Sequence, residues 1–271
     1  MTDRYAVIGN PIAHSKSPLI HAAFAAALGQ DVHYGRIEGV LDAFGSAVEA
    51  FRADSGLGMN VTAPFKVEAF ELARVRSERV VRAGAANCLR FAGGHIEAEN
   101  FDGIGLRTDI EDNLGTPLAG RRILILGAGG AARGVLAPLL ASSPAALVLA
   151  NRSITKAVAI AEIFPGVEPC LIADLHRYAG FDVVINATSA GLHGEALDLP
   201  TSAFGADALA YDMTYGKGLT SFLRAAQSAD VTRLHDGVGM LVEQAAESFA
   251  WWRGIRPETR DIIAEHTVPL T

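Results

Sequence analysis

A regular succession of strand-like and helix-like segments from Arg121 onward constrains the fold more than any other feature of the sequence. The strand-like segments are short apolar runs such as RILILG, ALVLANR and FDVVINAT, with helical periodicity between them. Such alternation predicts a parallel, doubly wound sheet with right-handed crossovers, because parallel neighbours need a long connection that returns the chain. The second half of the chain is therefore predicted to be an α/β domain built on a parallel sheet.

A glycine-rich loop follows the first of these strands. It reads GAGGAAR and fits the pattern G-x-G-x-x-[GA] through Gly127, Gly129 and Ala132. Glycines allow a tight turn and close approach of the backbone, and the helix that follows presents free N–H groups to a pyrophosphate. Since the loop stands between a strand and a helix, it predicts a Rossmann-type dinucleotide-binding domain over residues 104–237. A glycine turn with a purely structural role is the alternative.

The end of the next strand bears on the choice between the two nicotinamide dinucleotides. An NAD-binding domain usually has an acidic residue there, because a carboxylate accepts hydrogen bonds from the ribose hydroxyls. This sequence has Asn151, Arg152 and Ser153 instead, and a guanidinium pairs well with a 2′-phosphate. The triplet therefore favours NADP, although a solvated arginine at a strand end would give the same pattern.

The first half of the chain is predicted to be a smaller α/β domain. The runs ANCLRF and HIEAEN, joined by a pair of glycines, are typical of a hairpin. The run SPLIHAAFAAAL predicts a helix with Ser17 at its N-cap and Pro18 at its first position. Residues 1–103 are assigned to this domain, and the helical segment 238–271 is expected to pack back on it.

A lysine in an otherwise apolar stretch is the first candidate for chemistry. In GMNVTAPFK a buried strand is predicted to end before Pro64, and Lys66 follows. Reduction of a ketone by a nicotinamide needs a proton for the developing alkoxide, which a lysine beside a carboxylate can supply. Asp102, at the end of a predicted strand in ENFDGIG, offers that carboxylate. An ordinary surface lysine and an ordinary helix cap are the alternatives.

Composition and charge limit the partners of the chain. Of its 271 residues 50% are apolar and 20% charged, with a net charge of −7 and a mean hydropathy of +0.25, values typical of a folded globular protein. Scattered lysines and arginines argue against nucleic acid. Neither a membrane span, a secretion signal nor metal-ligand spacing is found. We expect a cytoplasmic protein, monomeric or homodimeric, that binds a small-molecule substrate and no metal.

Several motifs together resemble one known family from end to end. They are GNPIAHSKSP, NVTAPFK, GAANC, NFDG, GAGGAAR with NRS, NATSAG, YDMTYG and GVGMLVEQAAESF, in this order. The chain is similar to the shikimate dehydrogenase family, which reduces 3-dehydroshikimate to shikimate, usually with NADPH. The resemblance implies an N-terminal substrate domain and a Rossmann domain across a cleft, reversible hydride transfer and a role in aromatic amino acid biosynthesis.

The resemblance also implies roles for individual residues. Lys66 and Asp102 would form the catalytic acid–base pair. The substrate would be held through its carboxylate by Ser15 and Ser17, and otherwise by Thr62, Asn87, Tyr215 and Gln244. The cofactor would be bound by Gly127, Gly129, Gly130, Ala131, Asn151, Arg152, Ser153, Thr188, Met213, Gly237 and Met240.

One position beside the proposed catalytic pair departs from the family pattern. Phe101 stands where the family usually has threonine, next to Asp102. A benzyl group in place of a hydroxyl removes a polar contact and fills space. This leaves open a relative that acts on quinate or another ring acid, and a weakly active NADP-binding regulatory protein. If the ring points into the core, recognition of the substrate is expected to be unchanged.

Overall fold

The chain divides into two compact α/β units. The first comprises Met1–Gly105 and Leu241–Ile262, and the second comprises Leu106–Met240 and Ile263–Thr271. The computed structural model describes residues 2–178, 180–188, 198–216 and 218–270. Each unit is built on one six-stranded sheet, so the predicted α/β class with two sheets is confirmed.

The first unit contains a mixed sheet. Its strands are β1 (Asp3–Gly9), β2 (Val32–Glu38), β3 (Gly56–Val61), β4 (Val75–Arg76), β5 (Cys88–Ala92) and β6 (His95–Glu99). They lie in the order β2-β1-β3-β5-β6-β4, with β2 and β3 parallel to β1. Strand β5 runs antiparallel to both β3 and β6, which confirms the predicted hairpin. Strands β1, β3 and β6 therefore point the same way, and the segments that follow them leave the same edge of the sheet.

Four helices connect these strands: α1 (Ser17–Ala27), α2 (Phe44–Ala53), α3 (Lys66–Leu72) and α4 (Glu78–Ala83). Helix α1 corrects a prediction, because its N-cap residue is Lys16 rather than Ser17, and Pro18 is consequently the second helical residue. Lys16 makes no side-chain cap. The hydroxyl of Ser15 accepts the N–H of Ser17 at 3.3 Å instead, so the serine that caps the helix lies two residues before the predicted one.

The second unit contains an entirely parallel sheet. Its strands are β7 (Arg122–Leu126), β8 (Ala146–Asn151), β9 (Val167–Leu171), β10 (Phe181–Asn186), β11 (Phe204–Asp212) and β12 (Arg233–His235). They lie in the order β12-β11-β10-β7-β8-β9, and every pairing is parallel. If the strands are numbered from one at β7 to six at β12, their order in the sheet, read from β9 to β12, is 3-2-1-4-5-6. This is the doubly wound order of Rossmann domains.

Helices of the second unit cover both faces of its sheet. They are α5 (Asp102–Thr108), which begins in the first unit, a π-helical turn (Asp109–Asn113), α6 (Gly130–Ala141), α7 (Ile154–Ile163) and α8 (Ser221–Ser228). Successive residues of β7 belong to opposite cores, with Ile123 and Ile125 in one and Leu124 and Leu126 in the other. Both faces of a strand are thus buried, which explains why these strands are uninterrupted apolar runs.

The C-terminal segment is helical, with α9 (Val238–Arg253) and α10 (Arg260–His266). From Leu241 onward α9 belongs to the first unit. There the indole of Trp252 stacks on Tyr5 with ring centroids 4.6 Å apart and donates a hydrogen bond to the carbonyl of Leu89 at 3.0 Å. Among the helices of the described residues, none is both long enough and apolar enough to cross a membrane.

Candidate active site

Lys66 and Asp102 form an ion pair in the first unit. Lys66 begins α3 just after β3, and Asp102 begins α5 just after β6. Because these two strands run in the same direction, both residues lie at one edge of the sheet. Nζ of Lys66 lies 2.6 Å from Oδ2 of Asp102, and the two side chains are 21% and 8% exposed. An ammonium that is oriented by a carboxylate and still accessible is suited to exchange a proton with a bound ligand.

Two buried asparagines hold Asp102 in place. The amide nitrogen of Asn87 donates to Oδ1 of Asp102 at 2.8 Å, and its amide oxygen accepts the N–H of Phe101 at 2.9 Å. The amide oxygen of Asn100 accepts the N–H of Asp102 at 3.1 Å, and its nitrogen donates to the carbonyl of Ala85 at 3.0 Å. Sequence reasoning missed Asn100, although an asparagine two residues before a helix is a known turn former.

Gln244 of α9 joins this group. Its amide oxygen accepts a hydrogen bond from the Asn87 amide nitrogen at 3.3 Å, and its nitrogen donates to the carbonyl of Leu241 at 2.7 Å. The structure thus brings two of the predicted substrate residues, Asn87 and Gln244, next to the predicted catalytic pair. Both are polar groups that can donate and accept, as a polyhydroxylated ring requires.

A chain of buried polar side chains supports Asn87 from the interior. The hydroxyl of Tyr34 donates to the amide oxygen of Asn60 at 2.7 Å. The amide nitrogen of Asn60 donates to the carbonyl of Asn87 at 3.2 Å and to the hydroxyl of Ser248 at 2.9 Å, which itself donates to the carbonyl of Gln244 at 3.0 Å. Sequence reasoning did not find this network, because its members are far apart along the chain.

The predicted carboxylate-binding serines lie at the start of α1. Ser15 and Ser17 are 5% and 6% exposed, and the hydroxyl of Ser15 donates to that of Ser17 at 3.2 Å. The first turn of α1, SPLI, contains no acidic residue. Two hydroxyls beside the N-terminus of an 11-residue helix favour an anion.

Thr62 lies beside the end of β1, the strand that precedes Ser15 and Ser17. It follows β3 directly, and its N–H donates to the carbonyl of Ile8 at 2.9 Å. Its methyl group packs so closely over Gly9 that a Cβ on that glycine would overlap it. Since β1 ends at Gly9, Thr62 stands where the chain leaves β1 toward the serines, and the predicted substrate residues of the first unit lie at one edge of its sheet.

Phe101 points into the interior of the first unit. The residue is 4% exposed, and its ring meets the ring of Trp251 edge-on at a centroid distance of 6.0 Å. The guanidinium of Arg79 lies 5.8 Å from the centroid of the same ring. Because this ring is buried, we expect phenylalanine in place of the family's usual threonine to leave substrate recognition unchanged.

The glycine loop of the second unit is shaped for close approach by a ligand. Gly127 has a φ of +104°, which only glycine adopts readily. Gly129 is the N-cap of the 12-residue α6. Apart from the adjacent residues and the backbone of the helix itself, no atom of the described residues lies within 4 Å of the position that a Cβ would take on Gly129 or Gly130. The open start of a helix and the exposed Gly129 and Gly130 fit a pyrophosphate group.

The triplet predicted to choose the cofactor lies beside this loop. Asn151 ends β8, which pairs with β7, the strand before the loop. Its side-chain nitrogen donates to the carbonyl of Ser153 at 3.0 Å, and Ser153 is the N-cap of α7. Arg152 between them is exposed. An exposed cation at this edge fits a 2′-phosphate, and none of the three residues is a carboxylate that would repel it.

The residues predicted on the nicotinamide side follow β10, β11 and β12. The hydroxyl of Thr188 donates to the side chain of Asn186 at 2.7 Å, and its methyl group would lie 2.9 Å from a Cβ on Gly127. The backbone of Met213 packs against Gly237, where a Cβ would overlap the Met213 carbonyl. These residues therefore gather with the glycine loop at the carboxyl edge of the parallel sheet, as ligand-binding residues do in doubly wound folds.

Met240 is held by a buried pair that sequence reasoning missed. The hydroxyl of Tyr211 donates to Oδ2 of Asp109 at 2.6 Å and accepts the N–H of Met240 at 3.2 Å. A Cβ on Gly239 would overlap the same carboxylate. Burial, with Asp109 adding to it, raises the pKa of Tyr211 well above its ordinary value, so this hydroxyl remains a donor.

Tyr215, the remaining substrate prediction, lies in the second unit between β11 and α8 and is partly exposed. The cofactor predictions all lie in the second unit. Their arrangement on a parallel sheet of this order defines the chain as a dinucleotide-binding α/β protein.

Comparison with known proteins specifies the family. Family models match residues 7–89 (shikimate dehydrogenase substrate binding domain), 110–193 (shikimate / quinate 5-dehydrogenase) and 237–265 (shikimate 5′-dehydrogenase C-terminal domain). The shikimate dehydrogenase (NADP(+)) of Dechloromonas aromatica is 55% identical over 98% of this chain and 97% of its own. The chain belongs to the shikimate dehydrogenase family, as its motifs predicted.

Solved structures agree with this assignment. The crystal structure of an Ael1 enzyme from Pseudomonas putida is 56% identical, covers 100% of both chains and superposes with a TM-score of 0.95. The shikimate 5-dehydrogenase of Thermus thermophilus, solved in complex with NADP(H) and shikimate, is 30% identical over 97% of this chain and 98% of its own, with a TM-score of 0.87. The predicted arrangement of a substrate-binding domain and a Rossmann domain is that of the family.

Proposed function

We propose that this protein catalyses the reversible, NADP-dependent oxidation of shikimate to 3-dehydroshikimate, a step of aromatic amino acid biosynthesis. The observation that carries the proposal is the accessible ion pair of Lys66 and Asp102, 2.6 Å apart and held by Asn87, in a chain 55% identical to a shikimate dehydrogenase (NADP(+)). The relative solved with NADP(H) and shikimate supports the choice of both ligands.

Lys66 moves the proton in this mechanism. The bound nicotinamide would supply the hydride chemistry at the ring carbon that carries the hydroxyl. The ammonium of Lys66 gives a proton to the developing alkoxide when the ketone is reduced, and in the reverse direction the neutral amine takes the hydroxyl proton as the alcohol is oxidised. Asp102 keeps Nζ oriented through the ion pair, and Asn87 fixes the carboxylate by occupying its other oxygen. Without Asn87 the carboxylate would be free to rotate away from Lys66.

The other substrate contacts are those that the family resemblance implies, and the chemistry of the side chains is consistent with them. We assign the substrate carboxylate to the hydroxyls of Ser15 and Ser17, and the ring hydroxyls to the amides of Asn87 and Gln244. Thr62 and Tyr215 complete the substrate contacts in the proposal. Residues 1–103 together with 238–271 are assigned to the substrate, and residues 104–237 to NADP.

The cofactor contacts are assigned in the same way. The pyrophosphate goes to Gly127, Gly129, Gly130 and Ala131, and the 2′-phosphate to Asn151, Arg152 and Ser153. Thr188, Met213, Gly237 and Met240 are assigned to the nicotinamide side. A cytoplasmic location accords with a small-molecule oxidoreductase that draws on the NADP pool.

Replacement of Lys66 tests the mechanism. We expect Lys66→Met to lower kcat for shikimate oxidation by a factor of ~10² or more, because it removes the proton carrier and keeps the length of the side chain. Val67→Met is a matched control, since it places methionine at the adjacent exposed position of the same helix. The dissociation constant of NADP, measured by fluorescence titration, should be the same in both variants. A kcat for Lys66→Met within twofold of wild type would exclude Lys66 from the chemistry.

A further inference from the structure

Arg36 fixes the backbone of the segment that carries Ser15 and Ser17, which we call the serine loop. It lies near the end of β2, opposite Val7 of β1. Its Nε and one Nη donate to the carbonyl oxygen of Ser15 at 3.0 and 2.6 Å. Two donors of one rigid planar group on a single oxygen define the orientation of that peptide. The hydroxyl of Ser15, which caps α1 and bonds to Ser17, is therefore positioned through Arg36.

The positive charge of Arg36 is not neutralised by an acidic side chain. Other arginines of the first unit form ion pairs, for example Arg4 with Asp54 and Arg79 with Glu99. Among the residues that the structure describes, no carboxylate forms an ion pair with Arg36. Its two hydrogen bonds go to a neutral oxygen instead, so the cation remains available to attract an anion in a chain whose net charge is −7.

We infer that Arg36 is a positioning residue that determines specificity for a carboxylate on the substrate ring. It orients Ser15 so that the two hydroxyls and the start of α1 converge, and its charge favours an anionic ring substituent over a neutral one. The inference rests on the proposed function, in which Ser15 and Ser17 receive the carboxylate of shikimate. Arg36 thereby adds a positive charge to the neutral hydroxyls of Ser15 and Ser17.

A neutral ester of the substrate separates the role of the charge from that of the loop. Methyl shikimate has the same ring and the same ring hydroxyls, but no negative charge. KM is measured for shikimate and for the ester, or an inhibition constant where the ester does not turn over. The ratio of the two constants gives the preference for the acid. A variant that only distorts the loop weakens the ester as well as the acid, because the ester carbonyl still accepts hydrogen bonds from the serine hydroxyls.

We expect Arg36→Met to raise KM for shikimate about tenfold with kcat and KM for NADP nearly unchanged, and to lower the acid-over-ester preference by a similar factor. Arg36→Lys, which keeps the charge but not the paired donors, should retain part of the preference. Added salt should reduce the preference of the wild type, because an exposed charge is screened. Arg4→Met is the matched control, since it removes the same charge from the opposite end of the neighbouring strand, and it should leave the preference intact.

Three results would overturn the inference. Unchanged constants for both the acid and the ester in Arg36→Met would show that Arg36 does not act on the substrate. An equal loss for the acid and the ester would show that Arg36 supports the loop alone. Failure of the wild type to oxidise shikimate with NADP would remove the proposed function and the inference with it, and this result is distinguishable because it appears before any variant is made.

Discussion

The buried hydrogen bond between Tyr211 and Asp109 should contribute strongly to the stability of the second unit. The two residues are 0% and 3% exposed, and the hydroxyl lies 2.6 Å from the carboxylate while it also accepts the N–H of Met240. Tyr211→Phe removes only the hydroxyl. A hydrogen bond to a charged group contributes about 2 kcal/mol, and a buried N–H left without an acceptor costs about 1 kcal/mol.

The variant should therefore lose about 3 kcal/mol of unfolding free energy, which lowers the midpoint of thermal unfolding by roughly 6–12 °C for a unit of this size. Circular dichroism during heating and in urea measures both quantities. Tyr178→Phe is a matched control in the same unit. Its hydroxyl also lies 2.6 Å from a carboxylate, that of Glu168, but Glu168 is exposed, and water replaces the lost bond.

The control should lose less than ~1 kcal/mol, since an exposed acceptor regains its hydrogen bond from solvent. Equal losses in Tyr211→Phe and Tyr178→Phe would contradict this prediction, because the two hydroxyls differ in burial and in the N–H of Met240 that only Tyr211 accepts. A loss below about 1 kcal/mol in Tyr211→Phe would show that the pair does not hold the start of α9.

Two further predictions concern acid stability and the glycine loop. Burial, opposed by Asn60, lowers the pKa of His21 to about 3. Its contribution to stability is therefore complete above the unfolded pKa of about 6.5 and is lost as the pH falls toward 3. His21→Phe, which keeps a ring on Tyr34, should flatten the dependence of the unfolding free energy on pH between about 4 and 6.5. If this free energy depends on pH in the same way in the variant and the wild type, His21 is not the group responsible. Gly129→Ala should weaken NADP binding at least ~10-fold in a fluorescence titration without loss of thermal stability, because its Cβ would occupy only the open space assigned to the pyrophosphate. Gly127→Ala should weaken binding and also destabilise the protein by ~1–2 kcal/mol, because of its φ of +104° and the nearby Thr188. A Gly127→Ala variant as stable as the wild type, or a destabilised Gly129→Ala variant, would contradict this difference between the two glycines.

Local signals predicted the features that depend on neighbouring residues. Continuous apolar runs marked the strands of the second sheet because both faces of these strands are buried. The GAGGAAR loop was placed correctly between a strand and a helix because its pattern and its flanks are adjacent in the chain. Lys66 and Asp102 could be paired in advance since each follows a strand, and strands that run the same way deliver such residues to one edge of a sheet.

Contacts between distant residues carried no such signal. Tyr211 and Asp109 are 102 positions apart, and neither belongs to a pattern that would suggest the other. The same is true of Asn60 and Ser248, 188 positions apart. The prediction of the N-cap of α1 was wrong for a local reason. Ser15 and Ser17 are both suitable capping residues, and only the αR backbone of Lys16 between them decides that Ser15 makes the cap.

The most direct test of the proposed function follows nicotinamide absorbance when the purified protein is mixed with shikimate and either NADP or NAD. We expect fast reduction of NADP and much slower reduction of NAD, because Arg152 stands where an NAD-binding domain usually has a carboxylate. The absence of reduction with both cofactors would contradict the assignment of shikimate as substrate. Equal rates with NADP and NAD would contradict the role given to Arg152 and leave the chemistry of Lys66 and Asp102 intact.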